Sequence, residues 1–122
     1  MDDHQLSTLF DYTKFHIGLY STLITGLFAI IAFAMHDPNG KILVYLLPYA
    51  RYTAGFILIA GAAGGVIASN IPNYKTFESY SSARLPIFGI PSFTYAVFAH
   101  VEHLAFWTAV GIASYACLSM RI

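Results

Sequence analysis

Apolar residues fall into three long runs separated by polar stretches, and this pattern predicts three membrane-spanning helices. The runs cover residues 16–35, 52–71 and 92–118. A helix rises about 1.5 Å per residue, so a run of about 20 residues crosses the roughly 30 Å hydrocarbon core of a bilayer. We therefore predict an all-α integral membrane protein in which residues 1–122 form a single membrane domain.

The stretches between the runs carry residues that turn the chain or interrupt a helix. Residues 36–41, HDPNGK, predict a tight turn, because proline presets one φ angle and glycine accepts a positive one. Residues 42–50 are apolar but contain Pro48, which favours a fourth, half-length helix or a kinked first part of the second span. Residues 72–91 hold three of the five prolines and predict a loop, after which Ser92 is a suitable N-cap for the third span.

The first residues and the distribution of charge refine this topology. Leu6, Leu9 and Phe10 follow helical spacing in a polar stretch, which predicts a short interfacial helix before the first span. Basic residues flanking the spans favour a cytoplasmic N-terminus when Arg51 is left out of the count. The basic residues are scattered and form no stripe, so nucleic acid is not an expected partner.

Composition supports the membrane assignment and narrows the classes of function. The chain is 57% hydrophobic and 10% charged, whereas a soluble chain is about 25% charged. The expected partners are therefore the lipid bilayer and other membrane subunits or further copies of the chain. The sequence contains no phosphate-binding glycine loop, nucleophile elbow or paired cysteines, so an enzyme is not the favoured class.

Small residues cluster within the second apolar run, in the segment AGAAGG. Gly61 and Gly65 form a GxxxG pair, and Ala60 with Gly64 forms a second small-residue pair on a neighbouring face. Small side chains allow two helices to approach closely, which predicts a role in helix packing. The contact could be with the other two spans, with another copy of the chain, or with a bound cofactor, lipid or substrate.

The segment HVEH, residues 100–103, places ionisable side chains within the third apolar run. His100 and His103 are three residues apart and share a helix face, while Glu102 points about 100° away from His103. An ionised carboxylate at the bilayer centre costs about 2.5–3.5 kcal/mol on insertion scales. We therefore expect Glu102 to be protonated or to face a partner or water.

The first and third spans run in the same direction, so the depth of Glu102 can be compared with positions in the first span. Ser21, Thr22 and Thr25 fall near the same depth, whereas His16 and Tyr20 lie nearer the membrane surface. We predict a buried polar cluster at mid-bilayer. Its members are expected to be His100, Glu102, His103, Ser21, Thr22 and Thr25.

Four roles are open for this cluster. It could fix the register of the helices, or conduct protons or ions with Glu102 as the titrating group. His100, His103 and Glu102 could bind a transition metal, although H-x-E-H is not the spacing of zinc proteases. Haem would need a ligand from a second helix, for which His16 is the candidate. As a whole, the chain is interpreted as a subunit of a homo-oligomer or larger membrane complex that acts through helix–helix assembly.

Overall fold

A computed structural model describes residues 4–120 and shows three long helices with a folded connector between the second and the third. The elements in chain order are α1 (His4–Ala34), α2 (Lys41–Asn70), α3 (Phe77–Ser82), β1 (Arg84–Ile87), β2 (Ile90–Thr94) and α4 (Tyr95–Ser119). Three helices, α1, α2 and α4, are long and apolar enough to cross a membrane. The prediction of a mostly helical chain with three candidate spans is confirmed, but the two-stranded sheet corrects the all-α assignment.

Helix α1 begins well before the predicted first span. Instead of an interfacial helix followed by a span from residue 16, one uninterrupted helix extends from His4 to Ala34. Its first turns are held by packing, because Leu6 is buried and lies in the same hydrophobic cluster as the connector. The helical spacing of Leu6, Leu9 and Phe10 therefore marks the start of α1 rather than a separate element.

The predicted half-length helix at residues 42–50 is the first part of α2. The turn before it places Gly40 at a φ of 66°, and the helix continues from Lys41 through Pro48 to Asn70. Tyr45, one turn before the proline, donates a hydrogen bond from its hydroxyl to the backbone oxygen of Ala116 at 3.0 Å. Packing against α4 thus keeps this segment in the helix, although proline removes one backbone donor.

The segment predicted as a loop at residues 72–91 is folded. A 3₁₀ turn (Ile71–Asn73) leads into α3, and β1 pairs antiparallel with β2 to form a hairpin. Ser92 therefore lies in β2, where its hydroxyl donates to the backbone oxygen of Leu85 at 2.7 Å, so the N-cap prediction for Ser92 is wrong. Helix α4 begins three residues later, at Tyr95. We call residues 71–94 the connector.

The connector and the neighbouring helix ends share a hydrophobic core centred on Tyr80. The side chain is 0% exposed, and its hydroxyl donates to the backbone oxygen of Ile67 at 2.8 Å. Burial, together with the nearby Tyr95 and Tyr74, raises the pKa of Tyr80 well above its ordinary value, so this hydroxyl remains a donor. Leu6 on α1, Leu85 on β1 and Phe98 on α4 complete the core around it.

Helix α2 is the central helix of the bundle and packs along both α1 and α4. Its buried positions recur along one broad stripe that includes Ile57, Ala60, Gly64 and Ile67. Because α1 and α4 lie against the same central helix, residues far apart in sequence are brought to one level of the bundle. This arrangement positions the candidate site.

Candidate functional site

Glu102 lies at the meeting point of the three long helices. It is seven residues into α4, about 10 Å from the first residue of that helix. The residue is only 4% exposed, and its Oε1 accepts a hydrogen bond of 2.7 Å from the hydroxyl of Tyr20 on α1. A hydrogen bond to a carboxyl group in such apolar surroundings is stronger than one exposed to water. The pair therefore links α1 to α4.

The carboxyl group of Glu102 packs beside Gly64 on α2. A Cβ atom built on Gly64 would lie 3.5 Å from both Cδ and Oε2 of Glu102, and 3.4 Å from Cγ1 of Ile17. These are ordinary van der Waals distances, so a methyl group would fit at Gly64, whereas a longer side chain would reach the carboxyl group. One turn away, a Cβ on Gly61 would lie 4.0 Å from Cδ2 of Tyr20, so glycine also faces the phenol ring.

Apolar groups surround the Tyr20–Glu102 pair on the side facing away from the connector. The ring of Phe106, one turn beyond Glu102 on α4, lies 5.6 Å from the ring of Tyr20. Tyr20 also shares a hydrophobic cluster with Ile57 and Ala60 of α2 and with two alanines of α4. The pair is therefore enclosed by side chains that offer it no competing hydrogen bonds.

His100 and His103 are placed differently from Glu102. Both are exposed on α4, and together with Ala99, Leu104 and Trp107 they line a shallow depression of about 540 Å³. Nδ1 of His100 donates to the backbone oxygen of Ala96 at 2.6 Å, and Nδ1 of His103 donates to that of Ala99 at 2.7 Å. Because a carbonyl oxygen can only accept, each neutral ring keeps its proton on Nδ1 and leaves Nε2 unprotonated.

The three hydroxyl residues predicted to join the cluster also lie apart from Glu102. Ser21, Thr22 and Thr25 are exposed. Each hydroxyl donates to the carbonyl oxygen four residues earlier on α1, at 2.9–3.1 Å. Such bonds satisfy the hydroxyl within its own helix. The structure thus brings Glu102 together with Tyr20 and Gly64, and not with the residues of the predicted cluster.

His16, the candidate additional ligand, is half-buried near Tyr20. Its ring lies 6.2 Å from the ring of Tyr20, and its Nδ1 donates to the backbone oxygen of Tyr12 at 2.8 Å. Among residues 4–120, no three His, Cys, Asp or Glu side chains lie close enough together to hold a metal ion. Within one chain, Glu102 therefore does not join His100 and His103 as a third ligand.

The small-residue patch is divided between buried and more open positions. Ala60 is 0% exposed and Gly64 is buried, so both lie within the bundle. Gly61 and Gly65 are half-buried, and a Cβ on Gly65 would have no heavy atom within 4 Å. The Ala60–Gly64 pair thus lies at the internal helix contacts, while Gly65 leaves room on its side of α2.

A second feature, an apolar groove, lies beyond the Tyr20–Glu102 pair in the direction of the turn that joins α1 to α2. It has a volume of about 410 Å³ and separates α1 from α4, with α2 as its floor. Residues of all three helices line it: Thr22, Leu23, Gly26, Leu27, Ile30, Thr53, Ile57, Phe106, Ala109, Val110 and Ala113. This groove was not predicted, because single apolar runs do not reveal where two helices diverge.

Sequence reasoning did not identify Tyr20 as the hydrogen-bond partner of Glu102. A usable signal was present, because Tyr20 is the tyrosine inside the first apolar run and a buried tyrosine hydroxyl usually needs a hydrogen-bond partner. The depth comparison failed because Tyr20 and Ser21 lie at nearly the same depth but face different sides of α1, and depth does not reveal which side faces the bundle. Comparisons of the chain with protein-family models, curated proteins and solved structures find no match.

Proposed function

We propose that this protein is a subunit of a membrane assembly and that the outer face of α4 around His100 and His103 contacts another subunit. The observation that carries the proposal is the exposure of two imidazoles on a helix long and apolar enough to cross a membrane. Ionisable side chains within membrane helices almost always face protein or water rather than lipid. A neighbouring subunit would give these two rings such surroundings.

The hydrogen bonds of the single chain strengthen this interpretation. Ser21, Thr22 and Thr25 can face lipid at little cost, because their hydroxyls are satisfied within α1. His100 and His103 satisfy only Nδ1 in this way, so Nε2 of each ring still needs a partner. Lipid tails offer no donor, and the cost of an unsatisfied polar group in hydrocarbon favours a contact that supplies one.

The assembly would be tested by counting subunits in lipid nanodiscs, using photobleaching steps of a labelled chain and native mass spectrometry. Replacing both histidines with leucine (His100→Leu with His103→Leu) should convert the assembly to single chains, because the polar contact is lost. His36→Leu is the matched control. Nδ1 of His36 makes the same type of bond to the backbone oxygen four residues earlier, that of Ala32, but His36 follows the end of α1 and lies outside the histidine face. A wild-type chain that is already single, or a double variant that still assembles, would rule out contact between copies of the chain through the histidine face.

A metal-binding subunit is the second candidate function, and the hydrogen bonds at Nδ1, which leave Nε2 of each ring available, favour it. If two copies meet through this face around an axis along the membrane normal, four unprotonated Nε2 atoms converge at one level. Four acceptors cannot satisfy one another, whereas a divalent transition metal accepts up to four imidazole ligands in tetrahedral geometry. Metal analysis and the Co²⁺ absorption spectrum of the purified protein, beside the double leucine variant, test this idea. A wild-type protein without metal after incubation with Zn²⁺ or Co²⁺ would exclude it.

A further inference from the structure

The tip of the connector hairpin is apolar and exposed. Phe88 is 100% exposed, Ile90 is 70% exposed and Ile87 is 36% exposed. The segment from Leu85 to Pro91, LPIFGIP, contains no side chain that carries a charge or can hydrogen-bond. Contiguous exposed apolar residues of this kind indicate a contact surface for protein or membrane.

Phe88 lies at a turn position whose positive φ angle is unfavourable for a bulky side chain. Phe88 and Gly89 both have positive φ angles, 50° and 80°. Turns of this type favour asparagine followed by glycine, because a bulky side chain is strained in the left-handed region. The requirements of the turn therefore do not explain a phenylalanine at this position, and strain of this kind is often found where a side chain has a function.

The base of the hairpin is anchored to the bundle, so the direction of the tip is fixed. Leu85 is 0% exposed in the connector core, and its backbone oxygen accepts the hydroxyl hydrogen of Ser92. The side-chain amide of Asn70, the last residue of α2, donates to the backbone oxygen of Pro86 at 3.3 Å. The tip thus projects from an anchored base beside the connector ends of α2 and α4.

We propose that residues 87–90 insert into the headgroup–acyl boundary of the bilayer that α1, α2 and α4 would cross. The hairpin leads directly into α4, because β2 ends at Thr94 and α4 begins at Tyr95, so it lies where the membrane surface would be. Aromatic side chains are enriched at that depth. Ile87 and Ile90 are register partners in the hairpin, and the backbone polar groups of a turn remain tolerable at the hydrated boundary but not in the hydrocarbon centre.

Lipid fits this tip better than a protein partner does. A specific protein contact usually combines an apolar centre with polar groups that fix its orientation. The tip lacks such groups over the whole segment from Leu85 to Pro91, and the bilayer surface needs none. The proposal does not depend on the histidine face of α4, since the tip would contact lipid in a single chain as well as in an assembly.

Tryptophan fluorescence in phosphatidylcholine vesicles tests this insertion. The chain has one tryptophan, so Trp107→Phe gives a silent background into which Phe88→Trp is introduced. Lipids brominated near the headgroup end of the acyl chain should reduce the emission of the Phe88→Trp protein about twofold, as expected for a ring at the interface. Acrylamide in the aqueous phase should quench it less than it quenches a Ser82→Trp control, which places the ring on the exposed side of α3.

Two results would overturn the insertion. Strong quenching by acrylamide without quenching by brominated lipid would place the tip in water. Quenching by neither reagent would place it inside a protein contact. Phe28→Trp in the same Trp107→Phe background is the positive control for lipid contact, because Phe28 is 65% exposed on α1, away from the histidine face of α4. Subunit counting on the same samples separates this result from the assembly proposal.

Discussion

The two ends of the helix bundle are packed in opposite ways. At the connector end, Leu6, Tyr80 and Leu85 are each at most 6% exposed and form one continuous core with α2 and α4. At the turn end, α1 and α4 diverge and leave an apolar groove of about 410 Å³ above α2. The Tyr20–Glu102 hydrogen bond lies at the boundary between the two regions.

The difference follows from what each end of the bundle has available to fill the space between the helices. The connector adds α3 and a hairpin at one end, and their side chains close the gap between α1 and α4. The other end has only a tight turn, in which the side chain of Asp37 accepts a hydrogen bond from the backbone N–H of Ile42 at 3.2 Å. That turn joins α1 to α2 but leaves α4 free of it. A small bundle can therefore be closely packed at one end and leave a groove for lipid or another helix at the other.

The largest effect is expected from removing the centre of the connector core. Tyr80→Ala should lower the free energy of unfolding by about 3–5 kcal/mol, since it leaves a large cavity and removes the bond to Ile67. Phe28→Ala at the turn end should change it by less than about 0.5 kcal/mol, because Phe28 is 65% exposed. Unfolding of the purified variants in mixed micelles, followed by Trp107 fluorescence, measures both. Equal losses in the two variants would contradict the difference between the ends.

A smaller loss of stability is expected when a large side chain replaces Gly64 beside Glu102. Gly64→Leu should cost about 1–3 kcal/mol, because the added atoms would displace the carboxyl group and Ile17. Gly65→Leu is the matched control, since a Cβ there meets no heavy atom within 4 Å. Both substitutions put the same side chain into the same helix, so their difference in midpoint denaturant concentration isolates the contact with Glu102. If both variants unfold alike, Gly64 is not needed for that contact.

Removing the Tyr20–Glu102 hydrogen bond should lower the free energy of unfolding by less than the Gly64→Leu substitution does. Tyr20→Phe removes the donor to Glu102 and should cost about 1–2 kcal/mol, because a buried acceptor loses its partner. Tyr52→Phe on α2 is the control, with a ring that is 65% exposed. The same unfolding assay applies, and a Tyr20→Phe protein as stable as the control variant would show that Glu102 finds another donor.

The smallest effect, and one of opposite sign, is expected in the groove. Gly26→Leu should leave stability unchanged or raise it by up to about 1 kcal/mol, because leucine favours the helix and the site offers free space. Gly18→Leu is the control, because it brings the same gain in helical preference at a position of α1 that does not line the groove. Any stabilisation of the first variant beyond the second reports apolar contact made inside the groove. A clear loss specific to Gly26→Leu would show that the groove is closed in the folded protein.

The local sequence pattern predicted the parts of the fold that depend on residues close together in the sequence. The three apolar runs gave the three candidate spans, and Asp-Pro-Asn-Gly gave the turn before α2. The local pattern did not predict the connector hairpin, because LPIFGIP has neither the alternation of apolar and polar residues typical of paired strands nor an Asn-Gly turn. For the candidate site, it singled out Glu102 and the two histidines but joined them in one buried cluster with three hydroxyl residues of α1.

The number and approximate extent of the candidate spans therefore follow from the sequence, because length and apolar content are local properties of a helix. Which side chains meet depends instead on how the helices pack. Tyr20 and Glu102 are 82 residues apart, and their contact depends on the rotation and register of α1 and α4 against α2. The same rotation buries Glu102 and exposes His100 and His103, since side chains a few residues apart on a helix point in different directions. Packing, rather than composition, thus separated the acid from the imidazoles.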